Sequence, residues 1–224
     1  MLVVIEGLDG SGKATQTTRL CEGLERQGTP YRKVSFPDYD QPSSSLVKLY
    51  LDGAFGSRPE DVSPYAASSF YAVDRFASYR RFWQKDYKKG KLIVADRYVT
   101  SNLVYQLTKL SRNQWESFTR WLEDYEYEKL GLPRPDLTIY LDMPPEISQR
   151  LLEVRYQGNP QKKDLHERDI LFLQACRETA LFSANALGWK VISCAQGSEP
   201  KDREQIQEEI WESVAELIMQ KNRK

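Results

Sequence analysis

The chain opens Leu2-Val3-Val4-Ile5-Glu6-Gly7-Leu8-Asp9-Gly10-Ser11-Gly12-Lys13-Ala14-Thr15, and the reading of this stretch decides the fold. Leu2–Ile5 is a short apolar run of the kind that forms a buried strand, and a helical pattern begins near Thr15. Between them Gly7 to Lys13 has the form G-x-x-x-x-G-K, and a strand–loop–helix context is where that spacing carries a mechanism. Glycines let the backbone curl until successive N–H groups point inward, as an anion requires. The helix that follows adds its positive end, and Lys13 adds a mobile cation. A glycine turn would join strand to helix equally well, but it would not need the lysine. One position departs from the pattern: Ala14 stands where a Ser or Thr hydroxyl normally reaches Mg²⁺.

Further along, the apolar and β-branched runs Tyr31–Phe36, Leu92–Ala95, Leu137–Leu141 and Lys190–Cys194 alternate with long helical patterns. Strands alternating with helices predict βαβ units and a parallel sheet. Leu92–Ala95 and Leu137–Leu141 are nearly continuous in apolar character, as strands buried on both faces are. Ile206, Ile210, Val214, Leu217 and Ile218 recur at helical spacing and predict a C-terminal helix packed on the sheet. A helix is also expected over roughly Pro64 to Lys88.

At 224 residues the chain suits one α/β domain with a large core. Lys+Arg and Asp+Glu both number 32, so a net charge of zero gives no reason to expect nucleic acid or an acidic membrane as partner. No apolar stretch is long enough to span a bilayer, and the first run is too short for a signal peptide. Cys21, Cys176 and Cys194 are scattered without metal-ligand spacing and read as reduced thiols, which predicts a cytoplasmic protein. A single histidine excludes a histidine-built metal site.

Ligands of open α/β sheets lie beyond the carboxyl ends of the strands. Those ends carry Phe36-Pro37-Asp38-Tyr39, Asp96-Arg97-Tyr98 with Ser101-Asn102 and Tyr105 after it, Asp142-Met143-Pro144-Pro145, and Ala195-Gln196-Gly197-Ser198. An acid closing a strand beside a phosphate loop can orient Mg²⁺, and Asp96 is placed to do so. Arg97 is placed to fork onto a phosphate. Without such a loop, Asp96-Arg97 would read as a surface turn with a local ion pair.

Taken together, these motifs resemble the thymidylate kinase family. The matching features are the G-x-D-G-x-G-K loop, Phe-Pro-x-Tyr after the second strand, and Asp-Arg-Tyr followed by Ser-Asn and Tyr after the third. Leu132-Pro133-Arg134-Pro135-Asp136 and a basic segment at Arg150–Arg168 match as well, so the likeness runs from Leu2 to about Gln174. The resemblance implies a P-loop NTPase three-layer α/β fold, with a five-stranded parallel sheet flanked by helices and a mobile lid at approximately residues 150–168 of a single domain. It implies transfer of a phosphoryl group from ATP to dTMP with Mg²⁺, and a homodimer.

Residue by residue, the resemblance implies that Gly7, Asp9, Gly10, Ser11, Gly12, Lys13, Ala14 and Thr15 cradle the ATP phosphates. Arg150 would lie against adenine, with Gln196 behind it. Arg97, with Phe36 and Tyr39 nearby, would position the acceptor phosphate, and Ser101 would belong to the substrate site. Phe70 would stack on thymine, Arg75 and Asn102 would bond its edge, and Tyr105 would crowd the 2′ position of the sugar. Asp9 would sit between donor and acceptor and, with Asp96, near the metal. The transferring group needs a cation, and the loop contains no arginine, so the implied catalytic set is Lys13, Asp9, Arg97 and Arg155 of the lid. Bland readings stand beside these. Phe70 could be a core ring, Arg75 a partner of Asp74, Asn102 a helix cap, and the 150–168 segment an ordinary charged loop. A related deoxynucleoside or deoxynucleotide kinase with another base, and a weakly catalytic nucleotide-binding regulator invited by Ala14, are the competing functions.

Overall fold

The computed structural model describes residues 1–155 and 170–222. All five expected strands form: β1 (Leu2–Gly7), β2 (Tyr31–Ser35), β3 (Leu92–Asp96), β4 (Leu137–Asp142) and β5 (Lys190–Ser193). They make one parallel sheet in the order β2-β3-β1-β4-β5. The central strand β1 is fully buried along its length, which is why its apolar run does not alternate.

Helices cover both faces. α1 (Lys13–Arg26), α7 (Pro145–Arg155) and α9 (Arg203–Asn222) pack on one side, where Val3, Ile5, Leu20, Leu24, Ile139, Leu141, Ile206, Ile210 and Val214 form the core. On the other, Leu2, Val4, Ile93 and Ala95 meet Trp83, Tyr98, Leu103, Phe118 and Leu122. The contributing helices there are α5 (Thr100–Gln106) and α6 (Trp115–Glu123). α8 (Ile170–Leu187) packs against α5 through Leu173, Cys176 and Ala180. The C-terminal helix thus lies where its apolar periodicity places it.

The expected Pro64–Lys88 helix is unbroken along the chain but changes pitch. α3 (Pro64–Ser78) leads into a π-helical turn at Tyr79–Trp83 and then α4 (Gln84–Lys88). The wider turn stands where Tyr79, Trp83, Tyr87 and Tyr98 pack edge to face. α2 (Ser45–Leu51) lies ahead of α3. After β5 the chain forms a small antiparallel ribbon, β6 (Ala195–Gln196) with β7 (Glu199–Pro200).

The Leu132–Asp136 motif serves the sheet. Asp136 accepts a hydrogen bond from the Leu2 N–H at 2.8 Å, fixing the start of the central strand, and the Tyr98 hydroxyl donates to the Pro133 carbonyl at 3.1 Å. Cys21, Cys176 and Cys194 are all free and buried. Among the described residues no helix is long and apolar enough to cross a membrane.

Candidate active site

β1 ends at Gly7 and the chain turns through Leu8–Gly12 into α1. Gly10 has φ 80°, and a Cβ there would stand 2.8 Å from the Ser148 carbonyl oxygen, so only glycine fits. Gly12 has φ 88° and immediately precedes α1 without a side-chain cap. No acidic residue occupies the first turn. The first N–H groups of α1 are therefore left to an anion, and the helix end is positive.

β1 and β3 are neighbours in parallel register, with Ile5 beside Asp96. That register delivers Asp9 and Arg97, far apart in sequence, to one place. Arg97 Nη2 donates to Asp9 Oδ1 at 2.5 Å and Nη1 donates to the Gly7 carbonyl at 3.3 Å. Lys13 Nζ lies 3.6 Å from Asp9 Oδ1 and donates to the Leu8 carbonyl at 2.8 Å. Tyr105 donates its hydroxyl proton to Asp9 Oδ2 at 3.2 Å, and the Arg97 guanidinium carbon stands 5.3 Å from the Tyr105 ring centroid. Arg97 holds φ 65°. A non-glycine residue in that region is strained, and such strain collects at functional sites.

Burial alone would raise the Asp9 carboxyl, but the charges of Arg97 and Lys13 overcome it and hold the group well below the usual carboxylate range. Burial and the Arg97 charge push the Lys13 ammonium down. Burial also works against the charged Arg97, yet Asp9 raises that guanidinium well above its ordinary value. The site is therefore a carboxylate clamped between two cations, each able to exchange it for a phosphate.

Behind the cluster stands Glu6, fully buried, which sequence reading passed over as part of a strand. Its Oε1 accepts from the Tyr98 N–H at 3.1 Å, the Thr100 hydroxyl at 2.7 Å and the Ser101 hydroxyl at 2.8 Å. A carboxylate there completes the N-terminal end of α5 and fixes the turn that aims Arg97. Asp74 does the same for the segment after β2, accepting from the Asp38 N–H at 2.8 Å and the Ser43 hydroxyl at 2.6 Å.

The cleft over these strand ends has a volume of about 440 Å³. It gathers Asp9, Gly10, Gly12, Lys13, Ala14, Thr15, Phe36, Tyr39, Arg75, Asp96, Arg97, Ser101, Asn102 and Tyr105 from among the expected residues. It adds Leu51, Tyr71 and Gln106, which the sequence did not single out. Gly7 and Ser11 of the same loop are buried and do not line the cleft. Phe70 is not on the cleft wall; it packs on Tyr50 and Phe55 at centroid distances of 6.3 and 5.4 Å, while its neighbour Tyr71 lines the cleft. Arg150 donates to the Ser198 carbonyl and Gln196 lies in the β6–β7 ribbon, so these two are joined to each other's surroundings rather than to the cleft. The Arg155 backbone ends α7, while its side chain, like most of the expected lid, lies outside the described residues. A larger groove of about 760 Å³ between α1 and α9 shares no lining residue with the cleft and has no phosphate loop.

At the far wall Arg75 and Asn102 are buried and meet a second missed carboxylate, Glu126. Arg75 Nε and Nη2 donate to Glu126 Oε2 and Oε1 at 2.7 and 2.5 Å, and Nη1 donates to the Tyr98 carbonyl at 3.3 Å. Asn102 Nδ2 donates to Glu126 Oε1 at 3.0 Å and to the Ser68 carbonyl at 3.4 Å. Asp74, the bland partner for Arg75, is instead engaged with the Asp38 segment.

A family model described as Thymidylate kinase matches residues 5–210. A thymidylate kinase of Mycobacterium tuberculosis is 30% identical over 192 residues, covering 84% of this chain and 87% of the relative. A probable thymidylate kinase of Pyrobaculum aerophilum is 29% identical over 217 residues, covering 96% and 95%. A thymidylate kinase of Danio rerio is 25% identical over 214 residues, covering 93% and 90%.

The depressed Asp9 carboxyl has a consequence for stability against pH. A carboxylate whose folded pKa is below its unfolded value, about 3.9 for Asp, contributes stability that is complete above that value. The contribution is lost as pH falls through the lower folded pKa. Asp9→Asn removes that dependence. The difference in unfolding free energy between wild type and Asp9→Asn, measured by urea titration, is expected to be constant from about pH 6 to 8 and to shrink steadily below about pH 4. A difference that grew on acidification would contradict the clamped carboxylate.

Proposed function

This chain belongs to the thymidylate kinase family, and on that premise we propose how its cleft carries out the reaction. The enzyme transfers the terminal phosphoryl group of ATP to dTMP, giving ADP and dTDP. The observation that carries the site assignment is the Asp9 carboxylate held between Arg97 and Lys13 at the mouth of a phosphate loop.

In the proposed arrangement the N–H groups of the loop and of the first turn of α1, with Lys13, hold the outer phosphates of ATP. Arg97 exchanges Asp9 for the dTMP phosphate, on which its fork can make two charge-assisted bonds. The acceptor is already an ionised phosphate, so no side chain has to act as a nucleophile. A dTMP phosphate oxygen forms its bond to the terminal phosphorus of ATP as the bond to the bridging oxygen breaks, and the electron pair leaves on ADP. Lys13 follows the charge that moves to the leaving oxygen. Arg155 is the proposed additional cation, on the strength of the resemblance and of a loop that contains no arginine.

Asp9 and Asp96 offer only oxygen donors, which suit a hard cation. Among the described residues no three His, Cys, Asp or Glu side chains gather into a metal cage. The residues present therefore fit a Mg²⁺ ion held chiefly by phosphate oxygens and water, with Asp96 and Asp9 orienting that water, and this is consistent with Ala14. When bound, Mg²⁺ neutralises charge on the donor phosphates.

For the acceptor, Arg75 and Asn102 form the proposed base-reading pair and Tyr105 lies under the sugar. The resemblance names Phe70 as the stacking ring, but Phe70 packs on Tyr50 and Phe55 away from the cleft, so the ring proposed to stack on the base is its neighbour Tyr71 on the cleft wall. The exposed apolar side chains of Leu46, Leu49, Val73 and Phe76 on α2 and α3 supply a face on which two copies could pair, in keeping with the proposed homodimer. A cytoplasmic location and action as a single domain complete the proposal; three buried reduced thiols suit a reducing compartment.

ADP formation, followed by a coupled assay across nucleoside monophosphates, tests the acceptor. dTMP is expected to be turned over best and dUMP less well, with dGMP and AMP at least about 10³-fold lower in kcat/KM. Equal turnover of dGMP would defeat the thymine assignment. A Mg²⁺ titration of turnover tests the metal. Asp96→Asn is expected to raise the Mg²⁺ requirement and to lower kcat by about 10²-fold, whereas Ala14→Ser changes kcat by less than about 10-fold, since phosphates and water already fill the shell. Wild type inert at every Mg²⁺ level, with Ala14→Ser active, would make the chain a nucleotide-binding regulator.

A further inference from the structure

We propose that Glu126, which does not itself line the cleft, is a positioning residue that sets which base the acceptor site reads. The inference deepens the acceptor assignment above and rests on it. Glu126 is fully buried and lies on a π-helical turn (Asp124–Lys129) between α6 and β4, and its partners are the two base-reading residues.

A carboxylate can only accept hydrogen bonds. The Asn102 amide must therefore turn its Nδ2 toward Glu126 Oε1, at 3.0 Å, and its Oδ1 the other way. The Ser68 carbonyl favours the same orientation but at 3.4 Å is the weaker hold. Arg75 spends Nε–H and one hydrogen of each terminal nitrogen on Glu126 and the Tyr98 carbonyl, which leaves the second hydrogens of Nη1 and Nη2. Asn102 and Arg75 both line the cleft. The wall consequently offers one acceptor, Asn102 Oδ1, beside donors from Arg75.

Thymine presents the complement: an N3–H donor beside an O4 acceptor. Cytosine presents the reverse, a ring-nitrogen acceptor beside an amino donor, so that each contact opposes like against like. The carboxylate also compensates the Arg75 charge, which would otherwise be buried unpaired. Without it, the Asn102 amide can turn over and the wall loses its fixed polarity.

The test compares kcat/KM for dTMP and dCMP in wild type, Glu126→Gln and Glu126→Asp, with the KM for ATP as a control. Wild type is expected to favour dTMP strongly. In Glu126→Gln the dTMP:dCMP ratio is expected to fall by about 10- to 100-fold, the value of one charge-assisted hydrogen bond. KM for dTMP rises and KM for ATP does not change. Glu126→Asp keeps the carboxylate but withdraws it by one methylene, and a smaller fall in the same direction is expected; it decides the matter if Glu126→Gln does not fold. A ratio equal to wild type, with all rates or the Tm lowered together, would overturn the proposal and leave Glu126 a structural ion-pair partner. A wild type that favoured dCMP would overturn the acceptor reading instead. In that case a preference eroded in Glu126→Gln would still support the positioning role, and an unchanged one would overturn it.

Discussion

The Asp9–Arg97 ion pair, with Lys13 beside it, is the constraint on which the working end of this molecule depends. Its members come from beyond the ends of adjacent parallel strands and from the start of the helix that follows β1, so they meet only if β1 and β3 are in register. Partly buried charges are costly unless paired, and removing one partner of a buried pair costs about 3–5 kcal/mol. The pair thus keeps three charged groups together in the cleft proposed to hold the phosphates. It also explains why Arg97 tolerates φ 65°: the surrounding bonds to Asp9 and the Gly7 carbonyl fix it there.

Four further carboxylates extend the same principle outward. Glu6 fixes the start of α5, Asp74 fixes the segment after β2, and Glu126 fixes the far wall. Asp142 accepts a two-pronged bond from Arg177 at 2.6 and 2.8 Å and ties the end of β4 to α8. Each is satisfied by protein donors, whereas Asp9 is satisfied by the groups a phosphate would claim. That difference separates the carboxylates that build the site from the one proposed to take part in it.

The fold was legible in the sequence because its signals are local. Leu92–Ala95 and Leu137–Leu141 are apolar enough to be strands buried on both faces, and Gly7 to Lys13 fixes the turn between β1 and α1. The cleft was legible in large part because its residues follow strand ends. What sequence reading missed depends on distant pairing. Glu6 meets Thr100 across 94 residues and Glu126 meets Arg75 across 51, and no periodicity or motif connects them. Phe70 shows the opposite failure: its helix and its burial were foreseeable, but whether Phe70 or Tyr71 faces the cleft is decided by how α3 packs on Tyr50. The π-helical turn at Tyr79–Trp83 likewise follows from an aromatic cluster drawn from two separate segments.

The central claim is that Arg97 exchanges Asp9 for the acceptor phosphate. Its most direct test is calorimetric titration of dTMP and of thymidine into wild type and Arg97→Ala. The account predicts that dTMP affinity falls by about 10²-fold, the value of a two-pronged charge-assisted contact, down to that of thymidine, while thymidine binding is unchanged. Equal weakening of both ligands, or of neither, would contradict it.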